Sequence, residues 1–183
     1  MTPPRAVCVF CGSSPGSNPV FTQAAATFGR GLGERGIELI YGGASIGLMG
    51  VVADAAIAAG SRATGVITEA LAGHEIAHTA LHELHVVSTM HERKAVMSSL
   101  SDAFVMLPGG FGTLEEFMES VTWAQLGLHE KRCGILNVEG FFDDLLDFVG
   151  HAVAERFIKP TQADRLIVSK DAASLLDALA RPA

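Results

Sequence analysis

The chain predicts an α/β fold, a Rossmann-like doubly wound parallel sheet of about seven strands with helices on both faces. Three observations predict it. Short apolar runs of strand length alternate with longer stretches of helical period along the chain. No linker interrupts the alternation, so residues 1–183 read as one nucleotide-binding domain. Glycine-rich turns follow three of the strand runs, and in a parallel sheet those turns share one edge.

The elements follow in order. Ala6–Phe10 reads as the first strand. Asn18 and Pro19 look like an N-cap followed by proline at the first helical position, opening a helix that ends near Gly36. Ile37–Tyr41 is the second strand, and Gly47–Ala59 is a helix rich in Ala, Val and Ile. Thr64–Ile67 and Leu84–Ser88 are further strands, with a His-rich stretch between them. Met90 to Ser101 reads as a helix. The apolar run Ala103–Leu107 is the next strand, and a helix follows it to about Leu128. Gly134–Val138 is a strand, Phe141–Phe157 a helix, Leu166–Ser169 a late strand and Ala172–Ala180 a closing helix.

The turn Pro108-Gly109-Gly110-Phe111-Gly112-Thr113 joins a strand's carboxyl end to a helix start. Leu114, Phe117, Met118 and Val121 then recur at helical spacing. Glycine lets backbone amides approach a ligand, and a helix start offers unpaired N–H groups with partial positive charge. That combination is an anion site, and phosphate is its natural occupant. The turns at Gly12-Ser13 and at Gly42-Gly43 lie on the same edge and converge on the same place. None matches a P-loop or a G-x-G-x-x-G fingerprint, and any one alone is explained by a tight turn.

Two charged residues stand out near that edge. Arg93 falls on an apolar stripe with Met90, Met97 and Leu100. It either snorkels to water or aims its guanidinium at a phosphate or a carboxylate. Lys94, one position round the helix, is expected to be exposed. Thr113-Leu114-Glu115-Glu116 has the spacing of a capping box, which would use Glu116 to bind the N-cap amide. Glu115 and Glu119 are expected to be solvated. Carboxylates are odd company for a phosphate, so the alternative is that Glu116 does chemistry.

His74-Glu75-Ile76-Ala77-His78 matches the H-E-x-x-H zinc pattern. Its metzincin extension fails, because Leu81 and Leu84 stand where glycine and the third histidine are required. Cys8 and Cys11 form a C-x-x-C, but within a strand they point to opposite faces and read as small buried residues. A composition that is 49% hydrophobic with 18% charged residues argues for a packed core. The net charge of −7 argues against a broad nucleic-acid surface. The apolar run from Ala6 to Cys11 is too short for a signal peptide, and no stretch is long enough for a bilayer span. A cytoplasmic protein without membrane partners is the expectation.

Five segments occur in one order at familiar spacings: Cys11 to Ser14, Tyr41 to Gly50, Met90 to Lys94, Pro108 to Glu116, and Thr122 to Gly127. Together they resemble the Lonely Guy (LOG) family, the cytokinin riboside 5′-monophosphate phosphoribohydrolases, whose members often carried the label lysine decarboxylase. The resemblance runs from about Ala6 to about Val168. It implies a Rossmann-like homodimer with no organic cofactor and no metal. The reaction it implies is hydrolysis of the N-glycosidic bond of adenosine 5′-monophosphates substituted on the exocyclic amine. The family's essential arginine and glutamate map onto Arg93 and Glu116, which overturns the preference for a mere cap. The resemblance implies substrate contacts at Gly12, Ser13, Gly42, Gly43, Glu69, Met90, Arg93, Lys94 and Thr122. It implies the same for the turn itself, Gly109, Gly110, Phe111, Gly112, Thr113, Leu114, Glu115 and Glu116. Ala44 for a third glycine, Thr68 for a proline and Phe111 for a tyrosine depart from the family pattern without removing a reactive group.

Three rivals remain on the sequence. Molybdenum-cofactor carriers share the fold and the glycine turns, are less similar, and would bind without releasing base. A pyridoxal-phosphate decarboxylase needs a Schiff-base lysine, and Lys94 is the only lysine near the inferred site. A zinc hydrolase would need His74 and His78 on a stable helix with a third ligand.

Overall fold

A computed structural model describes residues 4–72 and 77–181. Among them, seven strands form one sheet: β1 (Ala6–Phe10), β2 (Glu38–Tyr41), β3 (Ala63–Thr68), β4 (Glu83–Val87), β5 (Ala103–Met106), β6 (Arg132–Leu136) and β7 (Leu166–Ser169). All pairings are parallel, in the order β4-β3-β2-β1-β5-β6-β7. The helices are α1 (Pro19–Glu34), α2 (Gly47–Ala58), α3 (Glu69–Ala72), α4 (Met90–Leu100), α5 (Phe111–Gln125), α6 (Asp143–Ala154), α7 (Pro160–Ala163) and α8 (Ala172–Ala180). The doubly wound class read from the alternation is the one observed. No described helix is long and apolar enough to cross a membrane.

The sheet is covered on both faces, as parallel sheets are. Val7, Val9 and Cys11 point into one core with Leu32, Val52 and Leu176 from α1, α2 and α8. Ala6, Cys8 and Phe10 point into the other, with Met97, Phe117 and Phe142 from α4, α5 and the approach to α6. Cys8 and Cys11 therefore lie on opposite faces, and both thiols are free and buried.

Element boundaries shift for identifiable reasons. The sixth strand starts and ends two residues earlier than its apolar pattern; Asn137 closes it, its amide still donating to the Ser169 carbonyl of β7 at 2.7 Å. Its side chain accepts a hydrogen bond from the Phe142 amide and donates one to Asp143. A short 3₁₀ turn, Val138–Gly140, follows. The fifth helix stops at Gln125 rather than Leu128, where Gly127 takes a left-handed backbone. The four-residue helices α3 and α7 are too short to register as a periodicity.

From β1 the chain winds outward through β2, β3 and β4, then returns across the sheet to β5 on the other side of β1. The direction of winding thus reverses between β1 and β5, which opens a crevice beyond their carboxyl ends. The turns there are stitched together. The Gly12 amide donates to the Pro108 carbonyl at 3.0 Å, and the Leu48 amide at the start of α2 donates to the Gly12 carbonyl at 3.0 Å.

Candidate active site

The site is assembled from the starts of α4 and α5. Thr89 caps α4, its hydroxyl accepting from the Glu92 amide at 3.1 Å, while the Glu92 carboxylate reaches back to the Ser88 amide and hydroxyl. This reciprocal cap starts the helix at Met90 and turns Arg93 inward. The guanidinium is buried, so its charge and its donors need partners. Its Nε donates to the Val66 carbonyl of β3 at 2.8 Å, and its Nη1 donates to Glu116 Oε1 at 2.8 Å. Gly42 backs the guanidinium; a Cβ at that position would run into Nη2. Of the two readings left open for Arg93, the geometry selects the carboxylate partner.

Glu116 does not cap α5. The helix begins at Phe111, with Gly110 as its N-cap, so Thr113 already lies inside the first turn. The expected capping box fails because glycine starts the helix earlier and Arg93 draws the carboxylate across to α4. Thr113 is buried against the turn, and a Cβ on Gly109 would strike its side chain and the Gly12 amide. Gly110 and Gly112 differ from Gly109. A Cβ on either would meet no protein atom within 4 Å, and neither has a left-handed backbone. Their smallness serves the open space in front of the helix start.

That space is a cavity of about 310 Å³. Of the residues singled out from the sequence, Gly12, Ser13, Met90, Arg93, Gly110, Phe111, Gly112, Thr113, Glu115 and Glu116 line it. Gly109 lies in the turn beside it and lines a neighbouring cavity with Gly12, Ser13 and Gly110. Leu114 packs against the core on the α4–α5 face. Gly43 is pressed against the Leu84 side chain and the Gly65 backbone. Glu69 is exposed at the start of α3, while Leu71, two residues on, lines the cavity. Thr122 is exposed about three turns along α5, its hydroxyl donating to the Met118 carbonyl.

Lys94 corrects the expectation of an exposed side chain. It is buried, and its Nζ lies 2.5 Å from Glu115 Oε1 and 3.0 Å from Glu119 Oε1. Glu115 and Glu119 are therefore its counter-ions and not simply solvated. Cys11, Met49 and Leu71 line the cavity without having been singled out for it. For Met49 the available signal was its place in the first turn of α2, beside the crevice. Burial, and then the charge of Glu116, push the Cys11 thiol far up, so it stays neutral.

His74 and Glu75 of the H-E-x-x-H pattern lie outside the described residues. His78 is buried, with Nε2 3.0 Å from Asp54 and Nδ1 accepting from the Ala80 amide. His82 accepts from the Ala63 amide at the start of β3. These rings have structural partners, and no metal-binding group of three or more His, Cys, Asp or Glu exists among the described residues.

A family model described as "Possible lysine decarboxylase" matches residues 49–179. The cytokinin riboside 5′-monophosphate phosphoribohydrolase of Rhodococcoides fascians is 46% identical over 180 residues, covering 98% of this chain and 91% of the relative. The Arabidopsis thaliana protein named cytokinin riboside 5′-monophosphate phosphoribohydrolase LOG1 is 49% identical over 172 residues, covering 94% of this chain and 80% of the relative. Among solved structures, the molybdenum cofactor binding protein of Rippkaea orientalis matches with a TM-score of 0.72 at 18% identity, over 98% of this chain and 96% of that one. That last likeness is one of fold. With nearly half of all positions identical across almost its full length, the chain belongs to the Lonely Guy (LOG) family of cytokinin riboside 5′-monophosphate phosphoribohydrolases.

Proposed function

We propose that this protein hydrolyses the N-glycosidic bond of cytokinin riboside 5′-monophosphates, releasing the free base and ribose 5-phosphate. One observation carries the reading: buried Arg93 and half-buried Glu116 pair at a cavity rimmed by the first turn of α5. The 5′-phosphate sits on the first-turn amides of α5, which lack intrahelical acceptors and carry the positive end of the helix dipole. Gly110 and Gly112 leave the room for that approach. Gly12 and Ser13 complete the cradle from the neighbouring turn.

Cleavage of the glycosidic bond develops positive charge on the ribose ring. The Glu116 carboxylate stabilises that charge or orients the attacking water. Arg93 holds Glu116 ionised and fixes its direction, because a charge-assisted hydrogen bond in a buried setting is short and directional. No protein nucleophile is required. A decarboxylase reading has little support, since the Lys94 ammonium is committed to two carboxylates and does not line the cavity.

The test is product analysis with isopentenyladenosine 5′-monophosphate and a panel of other substituted adenosine monophosphates, AMP included. Wild-type protein releases free base and ribose 5-phosphate. Arg93→Ala and Glu116→Gln fold with native circular dichroism but lose at least about a hundredfold in turnover, on the order of 3 kcal/mol of barrier. Tight nucleotide binding without any product would make the protein a carrier instead. The proposal extends to a cytoplasmic homodimer that acts without metal or organic cofactor. Light scattering at twice the chain mass, and activity that survives a chelator, are the expected results.

A further inference from the structure

The opposite edge of the sheet carries a larger cavity, and its charge is opposite in sign to that of the whole molecule. It measures about 830 Å³ and lies where β1, β5 and β6 begin. The length of those strands, roughly 15 Å, separates it from the crevice. Arg5, Arg35, Lys131, Arg132 and Arg181 line it, in a chain whose net charge is −7. Two carboxylates share the lining, Asp102 and Glu130. Asp102 is committed to the backbone: its Oδ2 accepts from the Arg5 and Ala6 amides at 2.8 and 3.1 Å, which fixes the start of β1. Among the described residues, Glu130 makes no ion pair, and of the five cations only Arg35 makes one, with Asp177 at 2.8 Å.

Part of this charge has a structural use. Helices of a parallel α/β fold end at the amino edge, and a helix end bears partial negative charge. Lys131 Nζ donates to the Ser98 carbonyl in the last turn of α4, and Arg132 Nη1 to the Ala178 carbonyl in the last turn of α8. Arg35 Nη1 donates to the Gly31 carbonyl near the end of α1. Arg5 and Arg181 have no such use. Both are exposed, and among the described residues neither side chain has a hydrogen bond or an ion pair. Burial holds the pKa of Lys131 below the usual lysine value, and the charges of Asp102 and Cys8 offset this only in part. An ammonium in that setting gains from a nearer counter-ion.

We propose that this amino-edge cavity is a second anion site and takes a compact polyphosphate, two or more linked phosphate groups, either inorganic or the tail of a nucleotide. Guanidinium groups match phosphate oxygens in pairs, and cations spread around one cavity suit a chain of anionic groups better than a single one. The one aromatic ring in the lining is that of His129, which is already packed against Phe104, so no face is left on which a base stacks. The phosphate chain is therefore the part recognised.

The test is an NMR titration of backbone amides with inorganic tripolyphosphate at physiological salt. Saturable shifts at the Arg5, Lys131, Arg132 and Arg181 amides are the expected result. Shifts confined to the start of α5, or a drift at the amino edge that never saturates, would overturn the site. Arg5→Gln combined with Arg181→Gln removes two exposed cations that hold nothing in the fold. It leaves the melting temperature unchanged and weakens binding at this edge at least about tenfold; an unchanged affinity overturns the proposal. Glu130→Gln deletes an opposing carboxylate and tightens the complex about twofold, whereas a weaker complex counts against the charge argument. ATP binds this edge within about threefold of tripolyphosphate, and a preference for ATP above about tenfold would shift recognition to the nucleoside and overturn the assignment. None of these readouts depends on release of base, so failure of the hydrolase proposal leaves them standing.

Discussion

At the scale of single residues, the site is organised by who answers each charge. Arg93 has a backbone carbonyl on one side and a carboxylate on the other, so its direction is not left to solvent. Lys94 takes the next two carboxylates. The glycines divide by a similar logic. Gly109 is small because Thr113 and Gly12 crowd it, whereas Gly110 and Gly112 are small although nothing in the chain crowds them. A methyl group at Gly112 therefore separates binding from folding. Gly112→Ala gains about 0.5–1 kcal/mol of stability, since alanine is the better helix residue. It also raises KM for the nucleotide, because the methyl occupies the approach to the helix start. Thermal melts and steady-state kinetics on one preparation test both halves.

At the scale of elements, two helix starts do the positioning. Thr89 and Glu92 set where α4 begins, and thereby which side of it carries Arg93. Thr89→Ala loses the cap and costs about 1 kcal/mol in denaturant unfolding. The same change lowers turnover more than it changes nucleotide affinity, because the helix start that aims Arg93 loosens. The sequence made most of this level legible. Alternating periods named the seven strands and the six longer helices, and the parallel class put three glycine turns on one edge. Contacts between α4 and α5 were not legible. Lys94 meets Glu115 and Glu119 across 21 and 25 residues of chain, and no local pattern encodes a pairing of that span. The capping-box pattern at Thr113 misleads for the opposite reason. Its local pattern is complete, but Gly110 starts the helix first and Arg93 competes for the glutamate.

At the scale of the whole molecule, the amino edge of the sheet contributes a dependence on pH. His129 packs at 5.3 Å from the Phe104 ring, and its Nδ1 accepts from the Lys131 amide. Burial first, and then the charge of Lys131, hold its pKa below the usual value. The folded state keeps this ring neutral, so the unfolded chain binds the extra proton as pH falls through about 6.5, and stability is lost from there downward through the lower folded pKa. Above that range the group adds nothing to the slope. His129→Asn, which keeps an acceptor near the Lys131 amide, removes this term. Melting temperatures of the two proteins from pH 5 to 8 are expected to show wild type losing ground to the variant only on the acid side. A constant offset across the range would rule the histidine out.

The reversal of winding beside β1 carries one further consequence. Arg93 and Glu116 stand 23 positions apart in the chain, on the two helices that bracket β5. The proposed catalytic pair is thus carried by one contiguous αβα segment, seated against the Val66 carbonyl of β3. Exchanging that segment, together with the β3 carbonyl and the small Gly42 that seat Arg93, changes the chemistry at the crevice while the sheet stays the same. Such interchangeability is a physical route by which one sheet hosts unrelated chemistries.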